Sequence, residues 1–431
     1  MRKKTKVAVI GAMLVSLLFA QSVSAAVNND EIYPITTNEI PEWPQGADTY
    51  SETAVLMDAD SGVVLYDKGK DQPRYPASIT KIMTTLLALE KCELTEEVTF
   101  TATGLERIAE GSNINMQVGE VLTMEQCLNA IMIRSANEVA AQVAEYIGGS
   151  QEGFASMMNE RAQQLGCTNT HFNNPSGLPD ENHWTTANDM ALIFREALKN
   201  EEFVKIIGTL EYTIPPTNLN PESRSFTSHH ALLVPSAPEH YEGCIGGKTG
   251  VTDLSRNTLV TGAERDGLRL IAVVMRADPG QVCADSTALF DYGFSQFEKL
   301  EVDGGTVIVP KGTQESDLEV TTADVDGGFV SSYYYHDYLV GVTSKSGEEI
   351  RQEEEAVQQE EEKKRQEEEM AVEEAAREKK EAQESQMKDT YVLLIKVLSG
   401  MILVVFLLVI IKAISNRVKR GKRKKGQKKK R

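Results

Sequence analysis

The sequence predicts an α/β (α+β) body, an antiparallel sheet with flanking helices, followed by a small all-β domain, a charged helix and one C-terminal transmembrane helix. Two hairpin patterns and a sequence of composition shifts carry this reading. Thr53 to Met57 and Val63 to Tyr66 flank Asp58-Ala59-Asp60-Ser61-Gly62, and Asn257 to Gly262 and Leu268 to Met275 flank Glu264-Arg265-Asp266-Gly267. Hairpins join antiparallel neighbours, which argues against a doubly wound parallel sheet.

The two ends set the compartment. Residues 1–25 read as a signal peptide: Arg2, Lys3, Lys4 and Lys6, an apolar run from Val7 to Ala20, then the small-residue site Val23-Ser24-Ala25. Residues 389–414 read as a membrane helix, since Tyr391 to Ile414 is mostly Val, Leu and Ile and is long enough to cross a hydrocarbon core of roughly 30 Å. Lys396 and Lys412 fall near its edges, where long side chains reach the headgroups. In the basic tail, 415–431, eleven of the fifteen residues from Arg417 are Lys or Arg, which places the tail in the cytoplasm and the body outside.

Charge excludes one class of partner. The net charge is −19; residues 1–25 contribute +4 and 412–431 contribute +12, which leaves −35 on 26–411. Such an acidic body does not suit a nucleic-acid partner, and the basic tail, joined directly to a spanning helix, reads as a lipid contact. The five cysteines are scattered with no C-x-x-C pair, so they read as small buried hydrophobes and not as a disulfide framework or zinc site. There is no H-E-x-x-H, and His229-His230 alone is not a ligand set.

Between the ends, residues 26–46 carry three prolines and read as a linker, 47–300 as the main body, and 301–347 as a Val-rich β domain punctuated by glycine pairs. Residues 348–388 hold 16 Glu and eight Lys or Arg without Gly or Pro, a solvated helical stalk too poor in apolar residues for a coiled-coil seam.

Within the body, YPASITKIMT sets Ser78 and Lys81 three residues apart just after Pro76. A serine hydroxyl needs a base, and a lysine serves as one only if burial or a nearby cation lowers its pKa. At helical spacing the Lys81 nitrogen reaches the Ser78 oxygen, and the unpaired N–H groups of a helix start suit an oxyanion. The pattern recurs at Ser385 and Lys388, in the stalk, where both side chains are expected in water. Ser135-Ala136-Asn137, after an apolar stretch, offers a hydroxyl for proton relay and an amide to grip a peptide group. Gly246-Gly247-Lys248-Thr249-Gly250 stands directly before the second hairpin and adds a cation, a hydroxyl and room for a substrate backbone.

The ordered set Ser78-x-x-Lys81, Ser135-x-Asn137 and Lys248-Thr249-Gly250 resembles the penicillin-recognising serine enzymes. With Thr170-His171-Phe172-Asn173-Asn174-Pro175-Ser176-Gly177-Leu178, the chain is similar over about 46–346 to the serine-type D-alanyl-D-alanine carboxypeptidases, the low-molecular-weight penicillin-binding proteins. The resemblance implies a β-lactamase/transpeptidase-like fold with Ser78 as nucleophile, Lys81 as base and Ser135 as proton relay. It implies that Asn137, Lys248, Thr249, Gly250 and the backbone of Val251 bind a stem peptide ending in D-Ala-D-Ala, with β-lactams as inhibitors and no metal or organic cofactor. The chain departs from the family at Val251, where an aromatic or histidine is common, and around 280–283, where a carboxylate-binding arginine is often found. A β-lactamase would carry Glu-x-x-Leu-Asn between the second and third motifs; Glu125 to Asn129 spells it, but ahead of Ser135. A β-lactam sensor or wall-binding scaffold without turnover is the competing class.

Overall fold

The computed structural model describes residues 27, 31–106, 111–325 and 327–427. The signal peptide expected over 1–25 lies outside the described residues, as do residues 428–431 of the basic tail. The chain forms two compact units, one ending at Lys345 and one starting at Ser346.

In the first unit β1 (Thr53–Asp58) and β2 (Val64–Lys68) form the first hairpin. A 3-10 turn over Ala77–Thr80 runs into α1 (Lys81–Lys91). A short ribbon, β3 (Glu97–Thr99) with β4 (Val121–Thr123), precedes α2 (Met124–Ile133), α3 (Asn137–Gly148) and α4 (Gln151–Gln164). Next come α5 (Ala187–Ala197), α6 (Glu201–Ile207) and a second ribbon, β5 (Glu211–Ile214) with β6 (Arg224–Thr227). The long strands β7 (Cys244–Thr252), β8 (Arg256–Arg265) and β9 (Leu268–Ala277) lead to α7 (Gln281–Gln296).

Local chemistry accounts for the boundaries. Thr123 and Gln126 form a reciprocal capping box that starts α2, while the side chains of Ser150, Thr186 and Asn200 accept from backbone N–H groups at the starts of α4, α5 and α6. Asp266 and Gly267 join β8 to β9 with φ of 52° and 78°, the two positive values that a tight two-residue hairpin turn demands.

The five-stranded sheet has the order β2-β1-β9-β8-β7 and is antiparallel throughout. Its centre is covered on both faces. Along β9, Ile271, Val273 and Met275 join the core under α1, α2 and α5, whereas Leu270, Ala272 and Val274 join the core under α7. That alternation explains why the strand reads as an unbroken apolar run. The outermost strand, β7, has only β8 beside it.

The β segment expected over 301–347 begins earlier, at Phe297: β10 (Phe297–Val302) pairs β11 (Gly305–Pro310), and β12 (Glu319–Val325), β13 (Gly328–Tyr335) and β14 (Tyr338–Lys345) form a three-stranded sheet. Its Val307, Val309, Tyr333 and Val340 share one core with β1, β8, β9 and α7. The expected linker also differs. Within it Trp43 is buried, donates from Nε1 to the Leu65 carbonyl at 3.0 Å, and packs its ring 5.0 Å from those of Phe297 and Tyr338. The prolines suggested a loose segment, but one indole buries enough surface to clamp it to the body.

The second unit is a single helix, α8 (Gly347–Gln427), about 120 Å long at 1.5 Å per residue. Pairs such as Glu360 with Lys364 at 2.9 Å and Arg377 with Glu381 at 3.2 Å line its charged half, and Ser385 and Lys388 are both exposed on it. Among the described residues it is the one helix long and apolar enough to cross a membrane. All five cysteines are free; Cys127 is fully buried and the other four are partly so.

Replacing Trp43 with Ala is expected to lower stability by about 3–5 kcal/mol, read as a fall in the unfolding midpoint in urea. An unchanged midpoint would show that the N-terminal segment is not clamped by this side chain.

Candidate active site

Ser78 sits in the 3-10 turn and not in the helix proper, with Lys81 as the first residue of α1. In a 3-10 turn side chains three apart are nearly eclipsed, which brings the two together more directly than an α-helix would. The turn starts from a left-handed residue, Ala77, at φ 53°. A non-glycine residue there costs about 1–3 kcal/mol, strain the neighbours must hold. Gly177 is one of them: a methyl group added to it would lie 1.7 Å from the Ala77 carbonyl oxygen.

Lys81 is 0% exposed. Its Nζ lies 3.0 Å from Ser78 Oγ, 2.7 Å from Asn137 Oδ1 and 2.6 Å from the Ser176 carbonyl oxygen. Burial, and then the Lys248 ammonium, push Lys81 well below the usual lysine range against a smaller opposing pull from Glu138. A neutral amine has two hydrogens and one lone pair. Asn137 Oδ1 and Ser176 O can only accept, so they take both hydrogens and leave the lone pair for the Ser78 hydroxyl.

The Ser176 carbonyl is held by a turn built around Asn174. Asn174 Oδ1 accepts from the backbone N–H groups of Ser176, Gly177 and Leu178 at 3.1, 2.8 and 3.1 Å, and Thr84 Oγ1 donates to the Pro175 carbonyl at 2.7 Å. His183 ties this turn to α1. The Asn173 N–H donates to its Nδ1 at 2.9 Å, so Nε2 carries the proton and donates to Thr80 Oγ1 at 2.9 Å. Burial pushes His183 down to about 3 and keeps the ring neutral in this role.

Ser135 lies between α2 and α3 at φ 64°, a second left-handed position, and its side chain has no hydrogen-bond partner among the described residues. Asn137 opens α3 and donates its backbone N–H to the Ser112 carbonyl at 2.8 Å. On β7, Lys248 is 4% exposed, donates to the Thr249 carbonyl at 2.8 Å, and is pushed down to about 7 by burial. Gly250 lies against the 3-10 turn: a methyl group added there would reach the Ser78 nitrogen at 3.0 Å. Val251 is 68% exposed.

A cavity of about 640 Å³ opens here, and Ser78, Ser135, Asn137, Lys248, Thr249 and Val251 all line it. Lys248 and Thr249 both face it although a strand alternates, because the cavity runs along the free edge of β7. Lys81 lies behind the wall, touching the cavity through Ser78. Among the described lining residues there is no Asp or Glu, whereas Arg134, Lys248, His229 and His230 are present. No group of three His, Cys, Asp or Glu converges as a metal site among the described residues.

The family described as D-alanyl-D-alanine carboxypeptidase, peptidase S11, matches residues 38–279. The chain belongs to this family. It is 36% identical over 287 residues to D-alanyl-D-alanine carboxypeptidase DacF of Bacillus subtilis, covering 64% of this chain and 71% of that protein. D-alanyl-D-alanine carboxypeptidase DacB2 of Mycobacterium tuberculosis is 32% identical over 271 residues, 62% of this chain and 87% of that protein. The crystal structure of penicillin binding protein 5 from Haemophilus influenzae superposes with a TM-score of 0.59 at 25% identity, over 70% of this chain and 97% of that one. For this S11 enzyme, the sequence reading of the histidines was incomplete. It assigned His229 and His230 no role, yet both residues line the cavity, and His183 carried no sequence signal at all.

Burial also pushes His230 down to about 4, and neither of its ring nitrogens has a partner in the fold. In the unfolded chain these two rings take a proton near pH 6.5, so the unfolded state binds more protons below that pH and stability falls on acidification toward about 4 and about 3. Each histidine is expected to remove about 2 kcal/mol between pH 7.5 and pH 5. Urea midpoints at the two pH values should therefore differ less in His183→Asn than in the wild type; an identical difference would mean that the ring is already charged in the fold.

Proposed function

We propose that this carboxypeptidase removes the terminal D-alanine from peptidoglycan stem pentapeptides through an acyl-enzyme on Ser78, and that β-lactams inhibit it by acylating the same hydroxyl. The observation that carries the reading is the 3.0 Å approach of a fully buried Lys81 amine to Ser78 Oγ, beside a second cation and along a free strand edge.

Ser78 Oγ attacks the carbonyl carbon of the penultimate D-alanine while Lys81 Nζ takes the hydroxyl proton. The backbone N–H groups of Ser78 and Val251 hold the oxyanion. Ser135 passes a proton to the leaving nitrogen, the C–N bond breaks and D-alanine departs. Water then attacks the ester, Lys81 takes its proton and returns one to Ser78 Oγ, and the shortened peptide leaves as a carboxylate. Asn137 grips the peptide group, and Lys248 and Thr249 hold the terminal carboxylate. The β-lactamase alternative is not favoured: Glu125 is exposed on α2, away from the cavity lining.

The enzyme acts outside the cell on the wall, held by the apolar part of α8 with the basic tail in the cytoplasm. The run of Lys and Arg directly after the apolar segment supports that orientation. The charged part of α8 serves as a stalk.

Ser78→Ala is expected to abolish release of D-alanine from a peptide ending in Lys-D-Ala-D-Ala and to abolish labelling by a fluorescent penicillin. Lys81→Ala should slow labelling about a thousandfold with an unchanged circular dichroism spectrum. A stable penicillin adduct on the wild type without D-alanine release would favour the sensor instead. A chain ending at Lys345 behind the signal peptide should be soluble and as active on free peptide as the full chain; an inactive truncation would give α8 a part in the chemistry.

A further inference from the structure

Arg134 closes α2, directly before Ser135, and its side chain lines the cavity. Among the described residues it has no hydrogen bond or ion pair through its guanidinium, although the chain as a whole carries a net charge of −19. It also lies near two other lining residues: His229 is lowered first by burial and then by the charges of Arg134 and Lys248. One permanent cation and one amine lowered to about 7 thus face one cavity with no acid among its described lining residues. A C-cap position at α2 would favour an arginine through the helix dipole alone. That account does not explain its place in the cavity lining, close enough to His229 for its charge to act there.

We propose that Arg134 binds the terminal carboxylate of the substrate together with Lys248, which makes it a specificity-determining residue for peptides with a free C-terminus. The inference rests on the carboxypeptidase reading above. Lysine supplies a point charge, whereas a guanidinium grips both carboxylate oxygens with a planar pair of donors. It also supplies a charge that does not titrate, beside a Lys248 lowered to about 7. The arginine expected around 280–283 is missing from this chain, and Arg134 supplies a second charge in the cavity lining, directly before Ser135.

The test compares the Lys-D-Ala-D-Ala peptide acid with its C-terminal amide, for wild type, Arg134→Ala and Arg134→Lys. In Arg134→Ala, kcat/KM for the acid should fall about tenfold, chiefly through KM, while the amide is unaffected and the acid-to-amide preference collapses. Arg134→Lys should recover much of the preference, because the charge returns without the fork. Equal losses on acid and amide, or an unaltered preference, would overturn the proposal and leave Arg134 a structural cap. The same variants are assayed for acylation by benzylpenicillin and by its methyl ester, a readout that needs no peptidase turnover. If the wild type released no D-alanine, the functional reading would fail, yet a penicillin-specific loss in Arg134→Ala would still support the carboxylate contact; equal loss with the ester would remove it.

Discussion

An amine buried with no carboxylate at hydrogen-bond distance among the described residues is the constraint on which the rest of the structure turns. Lys81 is enclosed by neutral acceptors, Asn137 Oδ1 and the Ser176 carbonyl, with Lys248 as a like charge nearby. In that setting the uncharged form is favoured, and its lone pair has one neighbour left, the Ser78 hydroxyl. A carboxylate at hydrogen-bond distance would undo this, turning a base into half of an ion pair.

Much of the fold serves to keep those neutral acceptors in place. The Asn174 turn presents the Ser176 carbonyl, His183 staples that turn to Thr80, and the α2 to α3 break delivers Asn137. Two left-handed residues, Ala77 and Ser135, sit beside the two hydroxyls of the site. Strain of this kind persists only where surrounding packing over-determines it, and Gly177 against Ala77 is one such contact. Rigid helices and an edge strand therefore supply the geometry, while the strain is confined to the turns between them.

The acidic body and the cationic cavity are two scales of one electrostatic design. Outside, negative charge keeps the chain soluble near a surface; inside, Arg134 and Lys248 face a space without a described acid. On the proposed reading, an anionic peptide end meets a cavity whose described lining carries basic groups and no acid.

Hairpins and the membrane-length run were legible because they are written in consecutive residues: Asp266-Gly267 dictates a turn, and 391–414 is apolar whatever surrounds it. The spacing of Ser78 and Lys81 was legible for the same reason. The clamping of Trp43, the 3-10 geometry under Ser78 and the place of His183 were not, since each depends on partners far along the chain, as with Trp43 to Leu65 at 22 positions and Thr80 to His183 at 103. By itself the sequence determined which groups the chain owns and how neighbours along it pair. Only the tertiary structure decided which of them share a dry space, and it is the loss of water there, with the charges that remain, that holds Lys81 well below the ordinary lysine range.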